Sequence, residues 1–287
     1  MEIFGIPLQP FLAQLLLGLV NGSFYAMLSL GLAVIFGLLG IVNFAHGALY
    51  MIGAYVAWLS LEKFGLNYWA ALVLAPLVLG ALGVVIEQGL LKRLRQLDPL
   101  YGLLLTFGLA LIAEGAFRDQ FGVSGQQYPV PALLRGSTDL GFMTLPIYRA
   151  WVVVASLAIC LGTWFLIEKT RLGATLRAGT ENPAVAQAFG INIPLLVTLT
   201  YAGGAALAGI AGVLAAPVIQ ITPLMGSNLI IVVFAVVVIG GMGSIMGSIL
   251  TGLALGLIEG LTKVLYPEAS SVVVFAIMAV VLMFRPA

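Results

Sequence analysis

The chain has 287 residues, 62% of them hydrophobic and only 8% charged, with a mean hydropathy of +1.15, far from the balance of a soluble domain. A formal net charge of +1 leaves no basic stripe to displace counterions from phosphates, so nucleic acid is excluded as a partner. The single cysteine, Cys160, stands in an apolar run, which removes disulfide frameworks and cysteine metal sites.

The first ten residues carry no Lys or Arg, so the charged leader of a secretory signal is missing and the apolar run from Phe11 is expected to be a retained membrane helix. Crossing about 30 Å of hydrocarbon takes about 20 apolar residues. Such runs fall at Phe11 to Gly37, Ala48 to Leu61, Tyr68 to Leu91, Leu100 to Phe117, Trp151 to Ile167, Pro194 to Pro217, Asn228 to Gly240, Ile245 to Leu261 and Ala269 to Phe284. The expectation is an all-α polytopic membrane protein, one transmembrane domain over residues 1–287 with about nine membrane helices and eight to ten allowed. Short loops rich in Lys and Arg stay in the cytoplasm, and the clear clusters are Lys92, Arg93 and Arg95, and Lys169, Arg171 and Arg177. Between them, Arg118, Arg135 and Arg149 are offset by Glu114, Asp119 and Asp139, which puts that connection outside. Counting from these anchors leaves the N-terminus outside and Arg285 in the cytoplasm.

Five spans precede the loop from Glu168 to Ile193 and four follow it. An odd spacer helix (151–167) between sets of four (about 11–117 and 194–284) makes those sets antiparallel, the arithmetic of an inverted repeat. In each set a long helix leads through a break (Leu38 to Gly47, Val218 to Ser227) into a short one. Ala48 to Leu61 has 14 residues and Asn228 to Gly240 has 13, too few to cross. Matching interrupted segments in two halves point to a transport pathway. The residues expected to line it are Asn43, Phe44, His46, Gly47, Tyr50, Thr222, Pro223 and Ser227. His46, the lone histidine, cannot make a zinc site by itself and is open to a hydrogen-bonded structural role or a place in the pathway. Of the carboxylates near span ends, Glu114 has Arg118 and Glu259 has Lys263 four residues on, so local neutralisation accounts for both. Glu87 has no such neighbour.

Small residues recur every fourth position at Ser244, Ser248, Gly252, Gly256 and Gly260 and at Gly204, Ala208, Gly212 and Ala216. They mark close helix packing, static or sliding. The cytoplasmic loop 168–193 has its own helix grammar. Asn182 can cap, Pro183 suits the first turn and Gly190 can end it left-handed, giving a short helix from Pro183 to Phe189 that either packs on its own bundle or docks into a partner.

Four stretches carry a family resemblance. They are Arg171, Gly173, Arg177, Ala178, Asn182, Ala186, Gly190 and Ile191 in that loop; G-I-V-N-F-A-H-G from Gly40 to Gly47, followed by Tyr50, Met51 and Gly53; I-G-G-M-G-S-I-M-G from Ile239 to Gly247; and F-R-P at Phe284 to Pro286. In this order the chain resembles, from about Leu12 to Pro286, the permeases of branched-chain amino acid ABC importers, and the LivH-type subunit in particular. The resemblance implies a type II ABC importer-like fold and a chain that runs a few residues past Ala287. It implies a heterodimer with a second, LivM-type permease, two ATP-binding cassette ATPase subunits and a periplasmic substrate-binding protein, in the bacterial inner membrane. It assigns coupling to the ATPase to Arg171, Gly173, Arg177, Asn182, Pro183, Ala186, Phe189 and Gly190. The sequence has no P-loop, so nucleotide must be hydrolysed by another polypeptide and this chain is expected to be a non-catalytic subunit without cofactor or metal. The expected function is uptake of a branched-chain or other hydrophobic amino acid by alternating access. The alternatives are urea, an amide or a small organic acid as substrate, or an ATP-independent secondary transporter or channel for a small polar solute.

Overall fold

The computed structural model describes residues 2–3, 6–94 and 97–284. Arg95 of the first basic cluster, and Arg285 and Pro286 of the C-terminal motif, lie outside the described residues. The helices are α1 Leu8–Leu39, α2 Ala45–Phe64, α3 Tyr68–Ile86, α4 Lys92–Leu94, α5 Pro99–Phe121, α6 Ile147–Lys169, α7 Arg171–Glu181, α8 Pro183–Ala188, α9 Ile193–Ala215, α10 Met225–Gly240, α11 Ile245–Leu265 and α12 Val273–Phe284. A π-helical turn, Glu87–Leu91, joins α3 to α4 so that Tyr68–Leu94 runs on as one rod of 27 residues. The all-α expectation needs one amendment, because two small antiparallel hairpins are present, Glu2–Ile3 with Ile6–Pro7 and Ser137–Asp139 with Thr144–Pro146.

Among the described residues six helices are long and apolar enough to cross a membrane: α1, the α3–α4 rod, α5, α6, α9 and α11. Two shorter apolar helices, α10 and α12, accompany them. The segment expected to be 14 residues long is a helix of 20, α2, and its counterpart α10 has 16. Gly47 and Gly226, which look like turn residues in the sequence, lie inside these helices. A Cβ on Gly226 would stand 2.1 Å from the Gly47 carbonyl oxygen, so both glycines let two backbones touch where α2 crosses α10. The irregular breaks are therefore shorter than expected, residues 40–44 and 216–224.

A helix that is apolar all round belongs in the middle of a bundle, and α1 is buried almost continuously from Gly18 to Ile35. Its most extensive partner is α11, and the next most extensive pair in the molecule is α3 with α9. The α1–α11 seam is made by the first small-residue stripe, met by glycines on α1. A Cβ on Gly256 would be 2.3 Å from both the Cα and the nitrogen of Gly22, and one on Gly252 would be 2.5 Å from the Ala26 nitrogen. The second stripe faces several neighbours, with Gly204 against Ile35 of α1 and Gly212 against the Tyr50 carbonyl of α2. By contrast α5 lies on the outside, Thr106 being its one buried residue.

The bundle has two distinguishable ends. The last turn of α1, Phe36 to Leu39, shares a groove with Arg177, Thr180 and Pro183, and a smaller one with Leu91, Leu94 and Pro99. This is the basic end. At the other end Gln14 and Asn21 near the start of α1 gather with Arg149, Val218 and Lys263.

Candidate functional site

Gly40, at φ +65°, ends α1 and returns its N–H to the Phe36 carbonyl at 2.8 Å. The following backbone is irregular and buried, so its polar groups need partners inside the protein. Thr106 of α5 supplies them. Its hydroxyl oxygen accepts from the Phe44 N–H at 3.2 Å, and its hydrogen has the Val42 carbonyl at 3.2 Å and the Leu103 carbonyl at 3.0 Å within reach. The His46 N–H donates to the Asn43 carbonyl at 3.3 Å.

His46 itself is fully buried, with Nε2 3.1 Å from the Leu28 carbonyl of α1. A carbonyl only accepts, so the Nε2 nitrogen carries the proton. The ring sits where Gly31 has no side chain, since a Cβ there would be 2.8 Å from the imidazole. Asn43 is equally buried and its amide lies against the Tyr201 hydroxyl of α9, without a well-formed hydrogen bond on either side. Phe44 stacks on Phe234 of α10 with centroids 4.7 Å apart and meets Phe107 of α5 edge-on at 6.0 Å.

Phe44 of the first break with Gly47 in the first turn of α2, and Pro223 of the second break with Gly226 and Ser227 in the first turn of α10, come together with Met51, Phe107 and Glu114 around one cavity of about 60 Å³. Glu114 is its charged group, paired with Arg118 at 2.9 Å and accepting from the Ser227 hydroxyl at 2.9 Å. The expected pairing of Glu259 with Lys263 is also present, at 2.5 Å. Four of the expected pathway residues, Phe44, Gly47, Pro223 and Ser227, thus share a space. Asn43, His46 and Tyr50 are packed into the core behind it, and Thr222 is not part of the lining. The cavity is far below the roughly 300–1,000 Å³ of a small-molecule pocket, but Phe107 and Leu111 on its wall are about half exposed, so it borders the open face of α5.

The second site is at the basic end. The segment from Arg171 to Glu181, expected as loop, is helix α7. What holds it is the C-terminus of α6, whose last carbonyls have no partner within the helix. Arg177 Nη1 donates to the Ile167 carbonyl at 2.7 Å and stands 3.6 Å from the Glu168 carboxylate. Gly173 passes so close to the same carbonyl that a Cβ would lie 1.6 Å from its oxygen. The short helix α8 follows the sequence grammar. Asn182 Oδ1 accepts from the Val185 N–H at 3.2 Å, Pro183 opens the helix, Ala186 is buried and Gly190 has φ +81°. The Gly190 and Ile191 N–H groups return to Gln187 and Ala186 at 2.9 and 3.1 Å, closing the last turn. Phe189 points away from the bundle, 82% exposed, and Arg171 is exposed as well. Asn192 caps α9 by accepting from the Leu195 N–H at 3.1 Å, so both ends of the segment are fixed by asparagines.

Some residues at these sites carry no motif. Thr106 stands between Leu105 and Phe107 with nothing in the sequence to tie it to the break, and the partnership of Gly31 with His46 is equally unmarked. Glu87 is fully buried in the π-helical turn and accepts from the Thr198 hydroxyl at 2.5 Å, joining α3 to α9.

Residues 14–282 match the family model described as branched-chain amino acid transport system / permease component. The chain belongs to this permease family. It is 31% identical to the high-affinity branched-chain amino acid transport system permease protein BraD of Pseudomonas aeruginosa, over 96% of this chain and 94% of the relative. The corresponding LivH protein of Escherichia coli is also 31% identical with the same coverage, and the LivM protein of Salmonella typhimurium is 28% identical over 91% of this chain and 66% of its own length. No solved structure matches the chain. The permease is thus LivH-type, with LivM-type proteins as more distant relatives.

Proposed function

We propose that this permease is the LivH-type, non-catalytic subunit of an ATP-driven importer that moves a branched-chain or other hydrophobic amino acid across the bacterial inner membrane. The observation that carries the reading is its relation to BraD and LivH along 96% of the chain. In the proposed assembly it pairs with a LivM-type permease, stands above two ATPase subunits and receives substrate from a periplasmic binding protein. The basic end is cytoplasmic and the Arg149 end outside, in keeping with the charges of their loops.

The geometry supports a particular division of labour. Nine helices cross or enter the membrane as an inverted repeat, α1, α2, α3 and α5 against α9, α10, α11 and α12, with α6 as spacer. Exchanging the two sets turns the α1–α11 contact into α9–α3, which are the two most extensive in the molecule, and turns α2–α3 into α10–α11 and α2–α5 into α10–α12, which are also present. The substrate route passes the Gly47–Gly226 crossing, beside Phe44, Pro223 and Ser227, and widens toward the exposed face of α5, where a second permease completes it. Asn43, His46, Tyr50 and Thr222 support that crossing. Gly173 and Arg177 transmit movement of α8 into α6, with Arg171 opening α7, Asn182, Pro183, Ala186 and Gly190 shaping α8, and Phe189 meeting the ATPase.

The test is uptake into vesicles containing this permease with its LivM-type, ATPase and binding-protein partners. Labelled leucine should accumulate only with ATP and binding protein. Flux of solute through the isolated permease without ATP would replace this reading with a secondary transporter or channel, while competition by urea, amides or organic acids would reassign the substrate.

A further inference from the structure

Beside the Gly173 joint, α6, α7 and α9 enclose an apolar crevice of about 330 Å³, walled by Ile167, Leu172, Leu176, Leu199, Gly203 and Leu207. It is open to the outside of the bundle, since Leu172 is 58% and Leu199 55% exposed, and a Cβ on Gly203 would meet nothing within 4 Å. Thr200, one of its polar residues, spends its hydroxyl on the Leu196 carbonyl at 2.8 Å. Along α9 the crevice runs from Leu196 to Leu207, roughly 16 Å at the α-helical rise, which is about the hydrocarbon depth of one leaflet. The end nearest the basic loop lies between Ile167 and Leu172, and the residues linking those two include Lys169 and Arg171, both exposed. Glu168, the acidic residue beside them, faces Arg177 at 3.6 Å, and among the described residues neither Lys169 nor Arg171 has a carboxylate partner. Lys169 is held over the Trp164 ring at 5.5 Å, as side chains at a membrane interface often are.

We propose that this crevice binds one acyl chain of an anionic phospholipid from the leaflet at the basic end, with the lipid phosphate at Lys169 and Arg171. The slot is leaflet-deep, almost wholly apolar, open sideways and carries uncompensated positive charge only at the headgroup level. Basic pockets between membrane helices on the cytoplasmic side are the established setting for anionic lipid recognition. The ligand bridges the α6–α7 joint to α9, so it buttresses α7. The inference goes beyond transport and needs only that the permease sits in a bilayer.

The experiment is native mass spectrometry of the assembled complex extracted from membranes of mixed phosphatidylglycerol and phosphatidylethanolamine. Wild type should retain phosphatidylglycerol in preference. The Lys169→Gln, Arg171→Gln double variant, altered only at exposed side chains, should lower that preference by about thirtyfold, the size expected when two basic residues near an anionic headgroup are neutralised. Gly203→Leu, which fills open space, should lower retention of either lipid. Equal retention in all three proteins overturns the site. Displacement by soluble glycerophosphate overturns the acyl-chain part, and a crosslink from a cysteine at Leu199 to the second permease would make the crevice a protein interface instead.

Discussion

The α1–α11 seam and the α7–α8 segment are built on opposite plans. In the seam two helices touch backbone to backbone over more than two turns, with Gly18 and Gly22 set against Gly252, Gly256 and Gly260, and no side chain can be added without parting them. In the α7–α8 segment most of the surface is exposed, and order comes from two asparagine caps, one left-handed glycine and close contacts at two glycines, Gly173 on the Ile167 carbonyl and Gly179 on the Ile193 side chain. The seam has two arrangements only if the helices separate. In the proposed importer the segment would tilt at its contact with the end of α6. A machine that converts movement at one face into rearrangement of a bundle needs both, a frame that does not yield and a lever that does.

Substitutions rank along this contrast. Gly256→Leu should have the largest effect, since the new side chain starts 2.3 Å from the α1 backbone, and overpacking that costs ~1–3 kcal/mol in an ordinary core is worse when backbone must move. Loss of monodisperse protein on extraction, or a much lowered Tm, checks it; a wild-type Tm would mean that the seam is looser than its geometry. Gly173→Ala is the next. Its methyl must displace the Ile167 carbonyl and with it the Arg177 hydrogen bond, so α7 should detach while the bundle stays folded. Faster amide exchange confined to residues 171–190, together with lost ATPase stimulation by the loaded binding protein, is the expected pair of readings. If exchange rises throughout the molecule, joint and frame are one unit and the distinction drawn above fails.

Smaller effects should stay within the lever. Gly190→Val meets no neighbour within 4 Å, so its whole cost is the left-handed backbone at φ +81°, about 1–2 kcal/mol and local to α8. Asn182→Ala should cost about 1 kcal/mol of the same helix, seen as faster exchange at the Val185 amide. Phe189→Ala should leave stability untouched, because the ring contacts solvent, and yet uncouple ATP hydrolysis from uptake. Full coupling in that variant would remove Phe189 from the ATPase contact.

The lever was the more legible of the two regions. Asn182, Pro183 and Gly190 act through neighbours a few residues away, so the cap, the first turn and the left-handed stop could be read in order along the chain. The helical state of α7 was hidden because its fixing partners, the Ile167 carbonyl and Glu168, are on α6, and nothing in R-L-G-A-T-L-R announces that Gly173 faces them. In the breaks the same residue type misled. Gly47 and Gly226 fall within the two stretches expected to be breaks, whereas they are helical and small for the sake of each other, a contact between positions far apart in sequence. Thr106 and Gly31 serve the break from other helices in the same way.

Reading along the chain is enough to establish a polytopic helical membrane protein, where its long apolar runs fall, which ends of them are basic, and how α8 starts and stops. Those are local properties: hydropathy over about 20 residues, charge in short loops, and hydrogen bonds between near neighbours. It took the packed bundle to show that the two breaks share one cavity, that one small-residue stripe serves α11 against α1 while the other is divided between α1 and α2, and that Gly173 is set against the end of α6. In the hydrocarbon interior every apolar face is equally content against lipid, so hydropathy cannot choose a partner; backbone approach and the placing of a few polar groups do.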